Sequence, residues 1–122
     1  TKQKRRHISL ANSFVNKKVD LTSTAATVLY TVPDASTAII KSILVSEDSG
    51  NADTITVTIT DTSDAVFSLF KTKAISANAT TELLTAPLVL QQKEVLKVTA
   101  ATANRLHVVL SALESKPREV TT

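Results

Sequence analysis

The sequence contains no cysteine, tryptophan or methionine and a single glycine, Gly50. Without cysteine, a disulfide framework, a cysteine-based zinc site and a thiol nucleophile are all excluded. One glycine cannot form a glycine-rich phosphate loop. The turns must therefore rely on Asn, Asp and Ser, whose short polar side chains suit turn conformations.

Aromatic residues are almost as scarce, and Phe14, Tyr30, Phe67 and Phe70 are the complete set. The core must therefore consist of Val, Ile, Leu, Ala and threonine methyl groups. Because most of the four aromatics fall at core-like positions, we do not expect an exposed aromatic platform of the kind that sugar-binding sites use.

Long hydrophobic runs are also missing. No apolar stretch approaches the roughly 20 residues of a membrane helix, and the basic N-terminus is not followed by a hydrophobic segment. We therefore expect a soluble protein with no export signal and no membrane partner. A chain of 122 residues fits one domain, which at this size buries about two-thirds of its unfolded surface.

Short β-patterned runs are abundant. The run at 37–47, which follows a corner at Pro33, is rich in β-branched residues and predicts a central strand. The run at 54–61 alternates threonine with inward-facing Ile55, Val57 and Ile59. Further strands are predicted at 15–22, 27–32, 65–73 (with Phe67 and Leu69 inward), 81–84, 88–90, 95–99 and around 106–110.

This spacing of strands, without a convincing helical run, predicts an all-β protein. We expect a single β-sandwich of jelly-roll type with about eight strands, and an up-and-down barrel is the alternative. The turn signal at 48–53, with Gly50 able to adopt a positive φ, marks a place where two strands meet.

Two strands carry apolar residues on both faces. Alternation puts Ile40 and Leu44 on the opposite face of the central strand from Ile43, and it puts Val109 and Leu113 on a second face of the last strand. A sandwich strand normally has one wet face, so the second face is covered either by loops of the same chain or by a partner. We predict Ile40, Leu44, Val109 and Leu113 as partner-binding residues and expect a homo-oligomer.

The two ends of the chain are expected to lie outside the sandwich of residues 15–114. Residues 1–14 are predicted as a basic N-terminal arm, and residues 115–122 as a polar C-terminal tail. The arm fits a frayed terminus, a segment that docks on a neighbouring subunit, or a nucleic-acid contact, which is less expected because no stacking aromatics accompany the cations. In the docking interpretation its partner-binding residues are Lys2, Lys4, Arg5, Arg6, Ile8, Leu10 and Phe14.

Residues for catalysis are few. A Ser/His/Asp site would need His7 or His107, and we predict His107 to be a surface or interface residue. Aspartates collect at 48–53 and 61–64, where oxygen ligands could bind calcium, but no calcium-loop spacing is present and turn formation explains them more simply. We therefore predict no enzymatic activity, no cofactor and no metal.

Several segments resemble small structural proteins of tailed-phage particles, with those of cyanophage type closest. They are Leu-Tyr-Thr-Val-Pro at 29–33, Ala-Ile-Ile-Lys-Ser-Ile-Leu-Val-Ser at 38–46, the alternating strand that follows, and the segment from 96 to 114. The resemblance covers about residues 17–114. The chain departs from the pattern at Asp34-Ala35 and Gln92-Lys93, where a glycine is expected in each turn.

The resemblance implies a virion structural protein located in the phage particle. It suggests a capsid decoration or cement subunit that attaches to major capsid or other virion structural proteins through its sandwich and terminal arms. A neck, tail or baseplate subunit is the first alternative. A carbohydrate- or nucleic-acid-binding module is the second.

Overall fold

The computed structural model describes residues 6–121, with side-chain surroundings for residues 11–117. Across this range the chain forms nine strands, and the central strand has its predicted bounds. The strands are β1 (Arg6–Asp20), β2 (Thr27–Thr31), β3 (Thr37–Glu47), β4 (Asp53–Thr60), β5 (Val66–Ile75), β6 (Thr80–Glu82), β7 (Leu88–Leu90), β8 (Val95–Ala100) and β9 (Leu106–Thr121). Among the described residues, no helix is long and apolar enough to cross a membrane.

The strands pair in a nested order, first with last. Strand β1 pairs with β9, β2 with β8, β3 with both β7 and β6, and β4 with β5, always antiparallel. Two further pairings, β3 with β9 and β4 with β8, fold the nested chain into two sheets. The result is a jelly-roll sandwich, so the predicted fold class is confirmed and the up-and-down barrel, which would pair successive strands throughout, is wrong.

The first sheet has the order β1-β9-β3-β6, with β7 also beside β3, and the second has the order β2-β8-β4-β5. Strand β6 pairs with residues 44–46 of β3 and β7 with residues 38–40. The two short strands therefore lie end to end beside β3, with residues 83–87 between them. Nine strands thus occupy only eight strand positions in the two sheets.

The core lies between the sheets and is almost wholly aliphatic, as the composition predicts. All three inward residues predicted on β4, Ile55, Val57 and Ile59, are buried. Tyr30 is buried as well, and its hydroxyl donates a hydrogen bond of 2.5 Å to a carboxylate oxygen of Glu114 on β9. Burial and the neighbouring Glu114 carboxylate raise the pKa of Tyr30 far above its usual value.

Phe67 is an exception to the predicted pattern, because 55% of its surface is exposed. It pairs with the core residue Ile59, so the predicted parity is reasonable. However, β5 is the last strand of the second sheet, and a side chain on an edge strand has no neighbour on one side to cover it. The pairing thus agrees with the predicted inward direction of Phe67, but the side chain is not buried in the core.

The turns adopt left-handed conformations largely without glycine. Asp64, Asn78 and Asn104 have positive φ, as expected for short polar residues, and Gly50 has a φ of 83°. Ala35 and Lys93 also have positive φ, 57° and 66° respectively. These are the two turns in which a glycine was expected, so their backbone conformation is the one that glycine adopts most readily although the residues are alanine and lysine.

The turn at 48–53 is confirmed, but it connects β3 in the first sheet to β4 in the second. The buried Glu47 carboxylate organises it by accepting hydrogen bonds from the Ser49 hydroxyl and from the backbone N–H groups of residues 49, 50, 51 and 78 at 2.8–3.1 Å. Burial alone would raise the pKa of Glu47, but these donors outweigh it and lower the pKa to about 2.

Candidate functional site

An apolar row crosses the outer face of the first sheet. Phe14 on β1 is the register partner of Leu113 on β9, Leu113 is the partner of Ile39 on β3, and Ile39 is the partner of Val89 on β7. Directly opposed residues of antiparallel strands share a face. Phe14 is 83% exposed and Val89 53% exposed, so both ends of this row lie open to solvent.

A second row runs parallel to the first and carries a charge at each end. Lys18 on β1 pairs with Val109, Val109 with Leu44, and Leu44 with Glu82 on β6. Leu44 is 37% exposed and Val109 half-buried. Three predicted second-face residues, Leu44, Val109 and Leu113, therefore lie together on one surface; that they bind a partner stays a prediction.

Ile40 does not belong to this surface, and its predicted position was wrong. Its side chain is fully buried in the core. The pairing of β3 with β9 shifts register between Ile40 and Ser42, and such a bulge inserts one residue and reverses the alternation that follows. Ile40 and Ile43 thus both face inward, although an unbroken strand would put them on opposite faces.

Glu82 is fixed in place where β6 ends. Its carboxylate accepts hydrogen bonds from the Ser42 hydroxyl, from the Ile43 N–H at 2.8 Å and from the Leu84 N–H at 3.3 Å. These bonds satisfy backbone donors beside the β3 bulge and hold the carboxylate at the margin of the sheet. The outer face thus has a positioned negative charge at one edge and the exposed Lys18 at the other.

The outer face of the second sheet has a different composition. Outward positions of β4 carry Thr54, Thr56, Thr58 and Thr60, and those of β8 carry Val95, Lys97 and Thr99. Two exposed valines, Val28 and Val66, lie near opposite edges of this face. Threonine suits a solvated strand because its β-branched side chain favours extended backbone and its hydroxyl is hydrated.

The chain ends form a two-stranded ribbon that extends beyond the sheet. Residues 6–11 of β1 pair with residues 116–121 of β9, whereas the pairing of β3 with β9 stops at Ser115. Over the described residues, the segment predicted as an N-terminal arm is thus part of β1, and the segment predicted as a C-terminal tail is part of β9. Pro117 is tolerated here because β9 has a strand neighbour on one side only.

Of the predicted arm residues, only Phe14 has described surroundings. Lys2, Lys4 and Arg5 lie outside the described residues. Arg6, Ile8 and Leu10 are placed in β1 by their backbone pairing with β9, and their side chains lie outside the described set. The role of the arm in partner binding stays a prediction, as does the division of the chain at residues 14 and 114.

His107 lies on the outer face between two carboxylates. Its Nε2 is 3.2 Å from Asp20 and its Nδ1 is 3.5 Å from Asp48. All three side chains are substantially exposed. Within the described part of the chain, no group of three or more His, Asp or Glu residues could hold a metal ion. The cluster is a surface contact of one imidazole with two carboxylates.

An apolar pocket of about 300 Å³ opens where the sandwich edges of β5 and the β6–β7 segment approach one another. Its walls come from Leu69 and Phe70 on one side and from residues 83–88 on the other. The wall lacks a charged side chain, so the pocket offers no group for acid–base chemistry.

The exposed phenylalanines do not form a common platform. Phe14 lies on the outer face of the first sheet, and Phe67 lies on the edge strand of the second. Two of the four aromatics contribute to the core, Tyr30 as a fully buried residue and Phe70 as a partly buried one. The prediction that most of them occupy core positions was therefore wrong. Their separation on two sheets nevertheless provides no adjacent pair of rings on which a sugar could stack.

No protein-family profile matches the chain, and no curated protein sequence matches it. One similar solved structure comes from the Bacillus endospore appendages, described as a novel family of disulfide-linked pili, with 10% identity, 92% of this chain and 89% of that chain covered, and a TM-score of 0.49. A second is a chain of the cyanophage Pam1 capsid asymmetric unit, with 16% identity, 92% and 86% covered, and a TM-score of 0.37.

TM-scores below 0.5 are too low for either likeness to bear on function. Disulfide linkage of the kind named for the pili is impossible for this sequence, because it contains no cysteine.

About half of the residues in the two rows of the outer face were predicted from the sequence as partner-binding residues. Ile39 and Val89 were not predicted to share it, because their alignment with Leu113 depends on strand order, which alternation does not reveal. Lys18 and Glu82 were missed for the same reason. One available signal was the position of Phe14 on the same parity as Asn16 and Lys18, which places an aromatic side chain on a polar face.

Proposed function

We propose that this chain is a non-enzymatic structural subunit of a phage particle, and specifically a capsid decoration or cement protein. The observation that carries the proposal is the ribbon of residues 6–11 and 116–121, which continues past the last β3 partner. An isolated two-stranded ribbon is at best marginally stable in water. A ribbon of this kind is suited to lie against a neighbouring subunit.

The edge of β1 supports the same role. From Ile8 to Val15 the strand carries no charged residue and no proline, and β1 is the outermost strand of its sheet. Farther along, Lys17 is the partner of the buried Leu110 and so lies on the inward side of the edge strand. An inward-pointing lysine discourages strand addition, so the uncharged stretch is the part open to a partner strand.

The sequence resemblance supplies the class of partner, which is a major capsid or other virion structural protein. The basic tip at residues 1–6 adds attraction to an acidic surface on that partner. Many symmetric copies would then attach through modest contacts that add up to firm anchoring. Attachment at the neck, tail or baseplate would use the same ribbon, and labelling of intact particles distinguishes these locations.

Two truncations test the proposal in a binding assay with particles that lack the protein. Removing residues 1–11 deletes the basic tip and one ribbon strand but leaves Asn12 and the rest of β1 beside β9. We expect this variant to remain folded by circular dichroism and urea unfolding, and to lose incorporation.

Removing residues 1–5 is the matched control, because it deletes Lys2, Lys4 and Arg5 from the basic tip while keeping all of β1. We expect reduced incorporation that is less sensitive to salt than that of the intact chain, since fewer cations then take part in the attraction. Incorporation of the 1–11 truncation at the level of the intact chain would refute attachment through the ribbon.

A further inference from the structure

We propose that two copies of this chain associate through the outer faces of their first sheets, about a two-fold axis parallel to the strands. The proposal goes beyond the function above because it concerns contacts between copies and not attachment to a particle. It assigns an occupant to the face that carries the apolar row.

The size of the face fits a dimer. Four strands spaced about 4.8 Å apart, with the 11 residues of β3 rising about 3.3 Å each, span roughly 700 Å². A standard interface buries about 800 Å² per partner. The apolar row of Phe14, Leu113, Ile39 and Val89 crosses this face from edge to edge near the Thr37 end of β3, and the row that contains Val109 and Leu44 crosses it nearer the middle. Together the two rows place apolar side chains across the face, as an interface core requires.

Charge placement selects the symmetry. Lys18 lies on β1 at one edge of the face, and Glu82 lies on β6 at the other. A two-fold axis along the strands places β1 of one copy over the β6–β7 edge of the other, so that each Lys18 faces the other copy's Glu82. An axis across the strands would leave both charges facing apolar or like-charged positions, which is unfavourable.

The same axis matches the apolar ends. Phe14 of each copy lies over Val89 of the other, and Leu113 lies over Ile39. Sheets that pack face to face keep their strand directions within about 30° of each other, so corresponding rows of the two copies face one another. The interface is therefore self-complementary, as a two-fold contact between identical surfaces requires.

The pairing of Phe14 with Val89 can be tested by exchanging charge between two variants of the full-length chain. Phe14→Lys places two lysines against valines in a homodimer, and Val89→Asp places two aspartates against phenylalanines. Both side chains are largely exposed, so the fold should survive, as urea unfolding would verify. We expect each variant alone to dimerise at least about tenfold more weakly than the wild type in sedimentation equilibrium.

Mixing the two variants should restore association, because the heterodimer has one ion pair between the introduced lysine and aspartate and one intact Phe14–Val89 contact. The matched control mixes Phe14→Lys with Val89→Lys, which places like charges together and should not recover. The proposal is overturned by a wild type that stays monomeric at its highest soluble concentration, by single variants that associate as the wild type does, or by a lysine–aspartate mixture as weak as the lysine–lysine mixture.

Discussion

The outer faces of the two sheets consist of similar antiparallel strands but differ in the residues that they expose to solvent. The inner faces of both sheets are aliphatic because they share one core. On the outer side, β4 and β8 present mainly threonine, with Lys97 and Val95, whereas the first sheet presents an unbroken apolar row that begins with Phe14 and ends with Val89. The fold requires the inner faces only, so the difference between the outer faces is the feature on which the proposed association of two copies depends.

The comparison also shows which exposed apolar residues are informative. Val28 and Val66 are exposed on the second sheet, but they lie near opposite edges with threonines between them. Single exposed apolar side chains are normal on protein surfaces. The first sheet differs because its apolar residues are contiguous across four strands, and contiguous apolar patches mark interaction sites.

The largest expected change in stability comes from a pair of substitutions on β3 that test which of its residues lie on the outer face. Ile40→Ala removes a fully buried side chain and should lower the free energy of unfolding by about 2–5 kcal/mol. Leu44→Ala, at the partly exposed position on the same strand, should cost less than about 1.5 kcal/mol. Urea unfolding measured at low protein concentration gives both values, and equal costs would show that the β3 bulge does not reverse the alternation.

The second prediction concerns Glu47, which organises the loop between β3 and β4. It describes how the stability of the folded chain depends on pH, and so defines the pH range in which variants of the two faces can be compared. Because the folded-state pKa of Glu47 is lowered from 4.5 to about 2, its charged form stabilises the fold fully above about pH 4.5. That contribution is lost as the pH falls from about 4.5 to about 2, since protonation then becomes more favourable in the unfolded chain.

Thermal unfolding of wild type and Glu47→Gln across this window provides the measurement. The wild type should lose stability with falling pH, and the variant should be less stable at neutral pH and show a shallower loss. Asp61, whose pKa is lowered chiefly by the Ser63 hydroxyl, is present in both proteins and cancels in the difference. Parallel pH profiles would contradict the assignment to Glu47.

The smallest expected effect on stability compares the two faces directly. Phe14→Ser on the first sheet and Val66→Ser on the second each remove an exposed apolar side chain, so both should change monomer stability by less than about 0.5 kcal/mol. If copies associate through the first sheet, the Tm of the wild type rises with protein concentration. Phe14→Ser should remove that dependence and Val66→Ser should keep it.

Much of the fold could be predicted because local pattern and tertiary position agree. The alternation of β4 and the bounds of β3 were visible in the sequence. Ile40 was misplaced because a bulge breaks the period of two after it, and no residue type marks that bulge. The terminal strands were missed because Pro117 and the basic tip resemble an unpaired end until the neighbouring strand is known.

The exposed face was only partly predictable, for a related reason. Periodicity identified Leu44, Val109 and Leu113 as residues on a second face. That Phe14, Ile39 and Val89 complete the row depends on pairings between strands distant in sequence. The nested strand order of a jelly roll determines those pairings, and the residue pattern of one strand does not indicate which strands pair with it.

Disulfide trapping with Phe14→Cys/Val89→Cys tests most directly whether the outer face of the first sheet is covered by a second copy. The sequence has no other cysteine, and within one chain the two positions are about 14 Å apart across three strand spacings, too far for an internal bond. Mild oxidation should give a covalent dimer by intact mass, while Val28→Cys/Val66→Cys on the second sheet should not. Free thiols on a monomeric Phe14→Cys/Val89→Cys chain would contradict this account.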